Sequence, residues 1–291
     1  SYGIQAKKFK ELAEKYTNGS VQVKLRCCGQ VGGEDEAFKS LQLGTIDAYI
    51  ITSNNVSPHF PLMDVFVLPY IFQGTAHAVK VLDGQIGHQI ADKIYKEAGV
   101  HLVTYGYFEF RDAYNTKRPI NQMADLSGLK IRVPKNNIMI KTWKAFGAEP
   151  VPLAWSEMST ALQTGTVDGG DNGTSVIESQ KFYDSAKHLF ILEHFCSFSP
   201  TFFSERFMKK LDETQKEAVL KAIKEAGLYQ RETMSNAIDK IRGNLVRHGM
   251  LMTKPDKTLF IKASAKIQDD FAKEKGGEYS DLLEKIRQTA K

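Results

Sequence analysis

A seven-residue motif occurs twice in this chain of 291 residues: Leu41-Gln42-Leu43-Gly44-Thr45-Ile46-Asp47 returns 121 residues later as Leu162-Gln163-Thr164-Gly165-Thr166-Val167-Asp168. Two copies at that separation describe two related lobes, not the many short units of a solenoid. Each copy sits in the same local order of signals. Ahead of the first, the β-branched residues 21–25 predict a strand, residues 29–33 a Gly-rich turn and residues 34–43 a helix, and residues 46–52 read as a strand after it. Around the second, residues 149–153 predict a short strand and residues 156–163 a helix with Ser156 as its cap, and a strand follows over 166–170. Gly44 and Gly165 stop the two helices and let the chain turn back. This is the grammar of an α/β fold.

The second unit also has an earlier strand and helix, residues 129–134 and 137–146, whereas the first opens directly on an amphipathic helix over 4–16. By the symmetry of the two, a strand before Ser1 is expected, and its absence would expose a sheet edge. Residues 100–115 alternate apolar and polar, are rich in Tyr and Phe, and predict a long strand that passes from one lobe to the other with Arg111 inside it. A helical pattern runs from Asp212 to His248 and is closed by Gly249. A helix of that length would brace both lobes.

Composition removes several classes of function. Hydrophobic residues make up 42% and charged residues 25%, which is ordinary for a folded globular protein. The longest apolar stretch, residues 65–72, has eight residues and contains Pro69, against the roughly 20 needed to cross a bilayer. The net charge of +5 is made of basic residues scattered among acidic ones, so nucleic-acid binding is not favoured. The sequence does not open on a basic stretch followed by an apolar run and a cleavage site, which points to a cytoplasmic protein or to a mature or trimmed chain. Cys27, Cys28 and Cys196 have no zinc-site spacing, and one bridge from Cys196 to either of the others is the most that geometry allows.

Hydrolytic and metal chemistry find little support. No GxSxG occurs, and neither His77 with His88 nor His188 with His194 has the spacing that puts two ligands on one helical face, so solvated or helix-terminal histidines are the simpler account. The Gly-rich segment 29–33 is neither a dinucleotide fingerprint nor a Walker sequence. Two arginines carry more information. Arg132 falls near the carboxyl end of a predicted strand, where open α/β sheets place their ligands, and its planar fork matches a carboxylate; a structural salt bridge fits its position equally well. Arg111 either points at a ligand or pairs with Glu109 or Asp112. Asp171 and Asn172 follow the last strand of the second lobe, either as ligand contacts or as a plain turn with Gly173. Trp155 either walls a ligand's carbon skeleton or packs in the core.

Beyond these single residues, a set of segments occurs together and in order: Phe9-Lys10-Glu11-Leu12 with Thr17-Asn18-Gly19, Gly29-Gln30-Val31-Gly32-Gly33-Glu34, the first motif copy, Phe60-Pro61-Leu62, Leu68-Pro69-Tyr70-Ile71-Phe72, Asp125-Leu126-Ser127-Gly128-Leu129-Lys130-Ile131-Arg132-Val133-Pro134, Gly147-Ala148-Glu149-Pro150-Val151-Pro152, and residues 161–172. Over almost its whole length the chain resembles the solute-binding receptors of tripartite ATP-independent periplasmic (TRAP) transporters, of the dicarboxylate-receptor type. The resemblance implies an α/β fold of two lobes with crossing strands and a long bridging helix, lobe I being 1–109 with 198–237 and lobe II 110–197 with 238–291. It implies a monomeric periplasmic receptor that binds an organic acid between its lobes and hands it to the transporter's membrane subunits, with no cofactor and no catalysis. By motif, Arg132 matches the arginine that grips the carboxylate, Arg111 a second arginine on the crossing strand, Asn172 the asparagine after the VDG segment, and Trp155 an aromatic pocket position. Glu34 and Asn55 are candidates for polar contacts from the first lobe. Some relatives hold a metal through an acidic residue followed by an aromatic after VDG; Asn172 follows Asp171 here, so none is expected. The chain departs from the family at Cys27-Cys28 and in the missing first strand, which bears on the first-lobe contacts. A sensory receptor, or an enzyme using Asp168 or Asp171 as a base, are the alternatives.

Overall fold

The computed structural model describes residues 2–27 and 29–290. Among the described residues there are eight strands: β1 (Ala48–Ile50), β2 (Val100–Asn115), β3 (Lys130–Val133), β4 (Glu149–Pro152), β5 (Gly169–Gly173), β6 (His188–Phe190), β7 (Cys196–Ser204) and β8 (Leu251–Thr253). The chain divides into two compact units, residues 1–61, 79–108 and 198–236 forming the first and residues 62–78, 109–197 and 237–291 the second. β2 and β7 each run from one unit into the other.

In the first unit β1 pairs antiparallel with β7, Tyr49 opposite Phe202. The helix Tyr2–Tyr16 lays Phe9, Leu12 and Ala13 against Val219, Ala222, Ile223 and Ala226 of the helix Glu213–Ser235. Burying a side chain such as Phe9 or Leu12 stabilises the fold by roughly 1.5–3 kcal/mol. The helix Glu34–Leu43 has the predicted bounds and ends at Gly44, whose φ of +67° is the left-handed cap that glycine adopts without penalty. Residues 21–25 do not form a strand. Their backbone is satisfied by side chains of the first helix instead: Glu14 accepts from the Val23 amide at 3.0 Å and Lys10 donates to the Val23 carbonyl at 2.9 Å.

In the second unit the strands lie in the order β8-β6-β2-β5-β3-β4. β4, β3 and β5 are mutually parallel, and β2 runs antiparallel to β5 with Arg111 opposite Gly173 and Asp112 opposite Asn172. Beneath them Tyr114, Met158, Leu162, Val167, Ile177 and Leu245 form the centre of a buried cluster. The predicted helix cap at Ser156 is not used. A 3-10 turn over Trp155–Glu157 precedes the helix Met158–Gln163, and the Glu157 carboxylate accepts from the Ala154 amide at 2.8 Å. The long helix expected from Asp212 to His248 is two helices, Glu213–Ser235 and Ile238–Arg247. They part at Asn236 and Ala237, where the chain passes from the first unit to the second. Ser and Asn side chains compete with the helix ladder for backbone groups.

Residues 62–78, placed with the first lobe from sequence, fall in the second unit. Their polar contacts explain it: the Tyr70 amide donates to the His194 carbonyl at 2.7 Å, Gln268 donates to the Pro69 carbonyl at 2.7 Å, and His77 lies 3.0 Å from the Ile286 carbonyl. Cys196 is a buried free thiol whose pKa burial pushes up, so no bridge to it forms; Cys28 lies outside the described residues.

The approach of β5 to β2 requires glycine. A Cβ on Gly169 would stand 2.0 Å from the Tyr114 carbonyl oxygen, backbone that cannot turn aside. Gly169→Ala is therefore expected to lower the unfolding free energy in urea by about 1–3 kcal/mol, the scale of overpacking in a well-packed core. A midpoint equal to that of the unsubstituted chain would contradict this packing.

Candidate functional site

Parallel β3, β4 and β5 end on the same side of the second unit's sheet, and the sequence-predicted residues of that unit gather there. Arg132 is the third residue of β3, Trp155 follows β4, and Asp171 and Asn172 lie within β5. Asp171 and Asn172, expected just past the last strand as ligand contacts or as a plain turn, lie inside that strand, and all five of its residues are buried. β2, antiparallel to β5, brings Arg111 to the same end.

The two arginines differ in one decisive respect. Arg111 is buried and its fork engages Asp171, Nε to Oδ2 at 3.0 Å and Nη2 to Oδ1 at 3.1 Å, with Nη2 also donating to the Asp171 carbonyl. Its Nη1 reaches Ser197 Oγ at 3.4 Å. The pairing with Glu109 or Asp112 does not occur: Glu109 accepts from the amide and hydroxyl of Ser175, and Asp112 pairs with Arg242 at 2.8 Å. Burial alone would raise the Asp171 pKa, but Arg111 and His194 hold its carboxyl well below the usual carboxylate range. This pair is electrically closed.

Arg132 is only 5% exposed, and among the described residues it has no carboxylate within ion-pair distance. Nε and Nη2 donate to the Leu153 carbonyl at 3.1 and 2.7 Å, and the guanidinium lies 5.7 Å from the centre of the Trp155 ring. Burial, with the like charge of Arg111 adding to it, pushes its pKa down to about 10. It remains a cation at neutral pH, held by a carbonyl dipole and an aromatic face, with the carboxylates of Asp171 and Glu157 acting on it only from beyond ion-pair distance. Trp155 itself is 44% exposed, its ring edge-to-face with Phe182, so it is not an ordinary core residue. Asn172 is fixed by the hydroxyl of Tyr114, which donates to its Oδ1 at 3.0 Å; the Asn172 amino group has no acceptor among the described residues. A buried cation without an anion, an aromatic wall and an uncommitted amide donor together suit an organic anion with polar substituents.

Sequence reasoning missed His194. It is neither solvated nor at a helix end: it is fully buried, Nε2 3.0 Å from Asp171 Oδ2, and packed edge-on to Trp143 with ring centres 5.1 Å apart. Burial lowers its pKa, so it is neutral at neutral pH. Its position inside the apolar run Leu189-Phe190-Ile191-Leu192-Glu193-His194-Phe195 was the available signal.

Comparison with known proteins gives the family of the chain. The family model described as "Bacterial extracellular solute-binding protein, family 7" matches residues 1–275. The chain belongs to this family. Among its relatives is the 2,3-diketo-L-gulonate-binding periplasmic protein YiaO of Escherichia coli (strain K12), 31% identical over 94% of this chain and 84% of the relative. A TRAP periplasmic solute-binding protein from Polaromonas sp JS666, bound to D-erythronate, is 34% identical with a TM-score of 0.92 over 98% of this chain and 93% of that one. A second, from Bordetella bronchispeptica with density assigned as pantoate, is 30% identical with a TM-score of 0.93 over 99% and 94%. The chain is a TRAP-type solute-binding receptor with their α/β fold, as the resemblance implied.

The first-unit candidates of this family 7 receptor are engaged with each other. Glu34, at the start of the helix Glu34–Leu43, accepts from the Thr52 amide at 2.7 Å, the Thr52 hydroxyl at 3.1 Å and the Asn55 amide at 2.9 Å. Asn55 Oδ1 in turn accepts from Asn54 at 2.7 Å. Burial raises the Glu34 pKa against these three donors. Within this unit the pair ties the helix to residues 52–55. Among the described residues no cluster of His, Cys, Asp or Glu has the makings of a metal site, and no helix is long and apolar enough to cross a membrane.

One carboxyl of the second unit titrates within reach of experiment. Burial raises the Asp112 pKa to about 6, against the opposing pull of Arg242. A raised folded-state pKa means that the folded chain holds this proton more tightly than the unfolded one. The contribution of Asp112 is therefore fully present below its unfolded value near 4 and is lost as pH rises through about 6, by about 3 kcal/mol. Unfolding free energies of the unsubstituted chain and of Asp112→Asn, measured between pH 4.5 and 7.5, should differ by an amount that changes with pH in that direction. A pH-independent difference would contradict the shift.

Proposed function

We propose that this chain is a periplasmic receptor for a hydroxylated or oxo-substituted monocarboxylic acid, with Arg132 as the residue that takes the carboxylate. The observation that carries this is the buried, unneutralised guanidinium of Arg132 beside an arginine already neutralised by Asp171. Arg111, Asp171 and Arg132 sum to a single positive charge when His194 is neutral, which matches one carboxylate. D-erythronate, 2,3-diketo-L-gulonate and pantoate, named for the relatives above, are each monocarboxylic acids with hydroxyl or oxo groups.

In this reading the carboxylate takes the free edge of the Arg132 fork, Arg111 adds to the local field, Asn172 donates to an oxygen on the neighbouring carbons, and Trp155 covers the carbon skeleton. Glu34 and Asn55 set the polar lining contributed by the other lobe. The lobes then close about the crossing segments, and the closed form docks, as a monomer, to the membrane subunits of a TRAP transporter, which import the acid from the periplasm. No catalytic step is involved. The carboxylates that would serve an enzyme are committed elsewhere: Asp168 accepts from the Lys130 amide at 2.9 Å, and Asp171 is held ionised by Arg111, which makes it a weak base.

Arg132→Met tests the assignment against a structural role. A structural salt bridge loses stability when cut, by roughly 3–5 kcal/mol for a buried pair, whereas an unpaired buried cation does not. The unliganded variant is expected to melt at or above the temperature of the unsubstituted chain. The rise in melting temperature that D-erythronate, D-gluconate, D-glucuronate or succinate gives the latter should vanish. A retained ligand shift in Arg132→Met would remove Arg132 from the site; a larger shift with succinate than with the hydroxy acids would overturn the monocarboxylate assignment.

A further inference from the structure

The side chains on either side of the candidate site's inner pair are themselves joined. Asp112, next to Arg111 on β2, is fully buried, and Arg242 Nη2 donates to its Oδ2 at 2.8 Å. The same Nη2 donates to Glu193 Oε1 at 3.0 Å, and Glu193 precedes His194 in sequence. His194 Nε2 and Arg111 Nε both stand 3.0 Å from Asp171 Oδ2. The result is a closed loop of contacts: from Arg242 through Asp112 to Arg111, across Asp171 to His194, and back through Glu193 to Arg242.

Glu193 is held in an unusual state within that loop. Its φ is +55°, the left-handed region that a residue with a Cβ keeps only where its surroundings fix it. Three contacts do so: Arg242 on Oε1, Lys257 on Oε2 at 2.7 Å, and the Tyr70 hydroxyl, which donates to the preceding Leu192 carbonyl at 2.9 Å. Thr174 adds a hydroxyl to Asp112 Oδ2 at 3.2 Å. The helix Ile238–Arg247 carries Arg242, which bonds to a residue on each of the two segments that hold Arg111 and His194.

We propose that Arg242 is a positioning residue for acid binding: by gripping Asp112 and Glu193 at once, it sets the register of Arg111 and His194 around Asp171. This rests on the reading of Arg111 and Arg132 as the carboxylate site. The role differs from a general contribution to stability, because its effect is transmitted to one buried imidazole and one guanidinium.

The test uses the full chain, labelled with 15N at histidine, at pH 7.5. Arg242→Gln is expected to move the imidazole nitrogen resonances of His194 while those of His77 and His101 stay in place. It should also weaken the best-binding acid of the panel above by about ten-fold, the scale on which outer supporting residues act on a site. Arg242→Lys, which keeps the charge but loses the planar fork that fixes its direction, should fall between the unsubstituted chain and Arg242→Gln. Unchanged His194 resonances with an unchanged Kd would overturn the proposal, as would a change spread over all the histidines. If Arg242→Gln does not fold, Arg242→Lys and Glu193→Gln decide it by the same two readouts, the first loosening the grip on both carboxylates and the second weakening the Glu193 arm. If the unsubstituted chain binds no acid of the panel, the carboxylate reading falls, while the His194 resonances still decide whether Arg242 positions this cluster.

Discussion

The Arg111–Asp171 pair organises the second unit. Taking two charges out of water is expensive, and such a pair persists only where further hydrogen bonds satisfy the remaining donors and lone pairs. Arg111 makes two such bonds, to the Asp171 main-chain carbonyl and to Ser197, and the His194 imidazole stands 3.0 Å from the carboxylate. Its position follows from the sheet, since the antiparallel register sets Arg111 opposite Gly173, two residues from its partner. The pairing has a consequence for the neighbouring residue. Asp171 is paired with Arg111 and makes no ion pair with Arg132, which feels it only through its longer-range field.

The same strand explains what the sequence does and does not disclose. Gly169-Gly170-Asp171-Asn172-Gly173 has the composition of a turn, and its strand propensity is poor. It forms a fully buried strand because the glycines let β5 lie against Tyr114, whose carbonyl and ring leave no room for a Cβ at Gly169 and little at Gly170. Tertiary packing overrides local preference there. Where the hydrophobic period was long and regular, as over Glu34–Leu43 and Val100–Asn115, the predicted and observed bounds coincide. The failures have physical causes of the same kind. The β-branched run near Val23 found side-chain partners in place of a neighbouring strand, and the helical pattern that spans Asn236 hides a break that only the division into units makes sensible.

The candidate residues were legible to a similar depth as a group brought together at one end of the sheet. Strand-end position marked Arg132, and motif position marked Arg111, Asn172 and Trp155. What no reading along the chain discloses is pairing: Arg111 had two acidic neighbours within two residues, and its partner lies 60 residues away. The neighbouring acids are drawn off instead by Ser175 and Arg242, also distant in sequence. Buried His194 escaped for a related reason, since its environment is made by Trp143, Phe146 and Asp171.

An unpaired arginine among apolar and carbonyl groups raises the free energy of the empty receptor relative to one with the charge matched. Arg132 retains its proton despite a pKa near 10, and the Leu153 carbonyl with the Trp155 face offsets only part of its lost hydration. A carboxylate arriving at such a group gains more than it would at a solvated lysine, because the cation has already been desolvated and oriented during folding. Affinity of this origin is general for carboxylates, so discrimination among acids has to come from uncharged groups. Asn172, held by Tyr114 with its amide protons uncommitted, is one such group in this unit. Sites that hydrogen-bond a ligand hydroxyl reject analogues lacking it far more strongly than apolar pockets distinguish chain length. On the proposed reading, recognition of the acid falls to one arginine and its selection to uncharged groups that meet its oxygens.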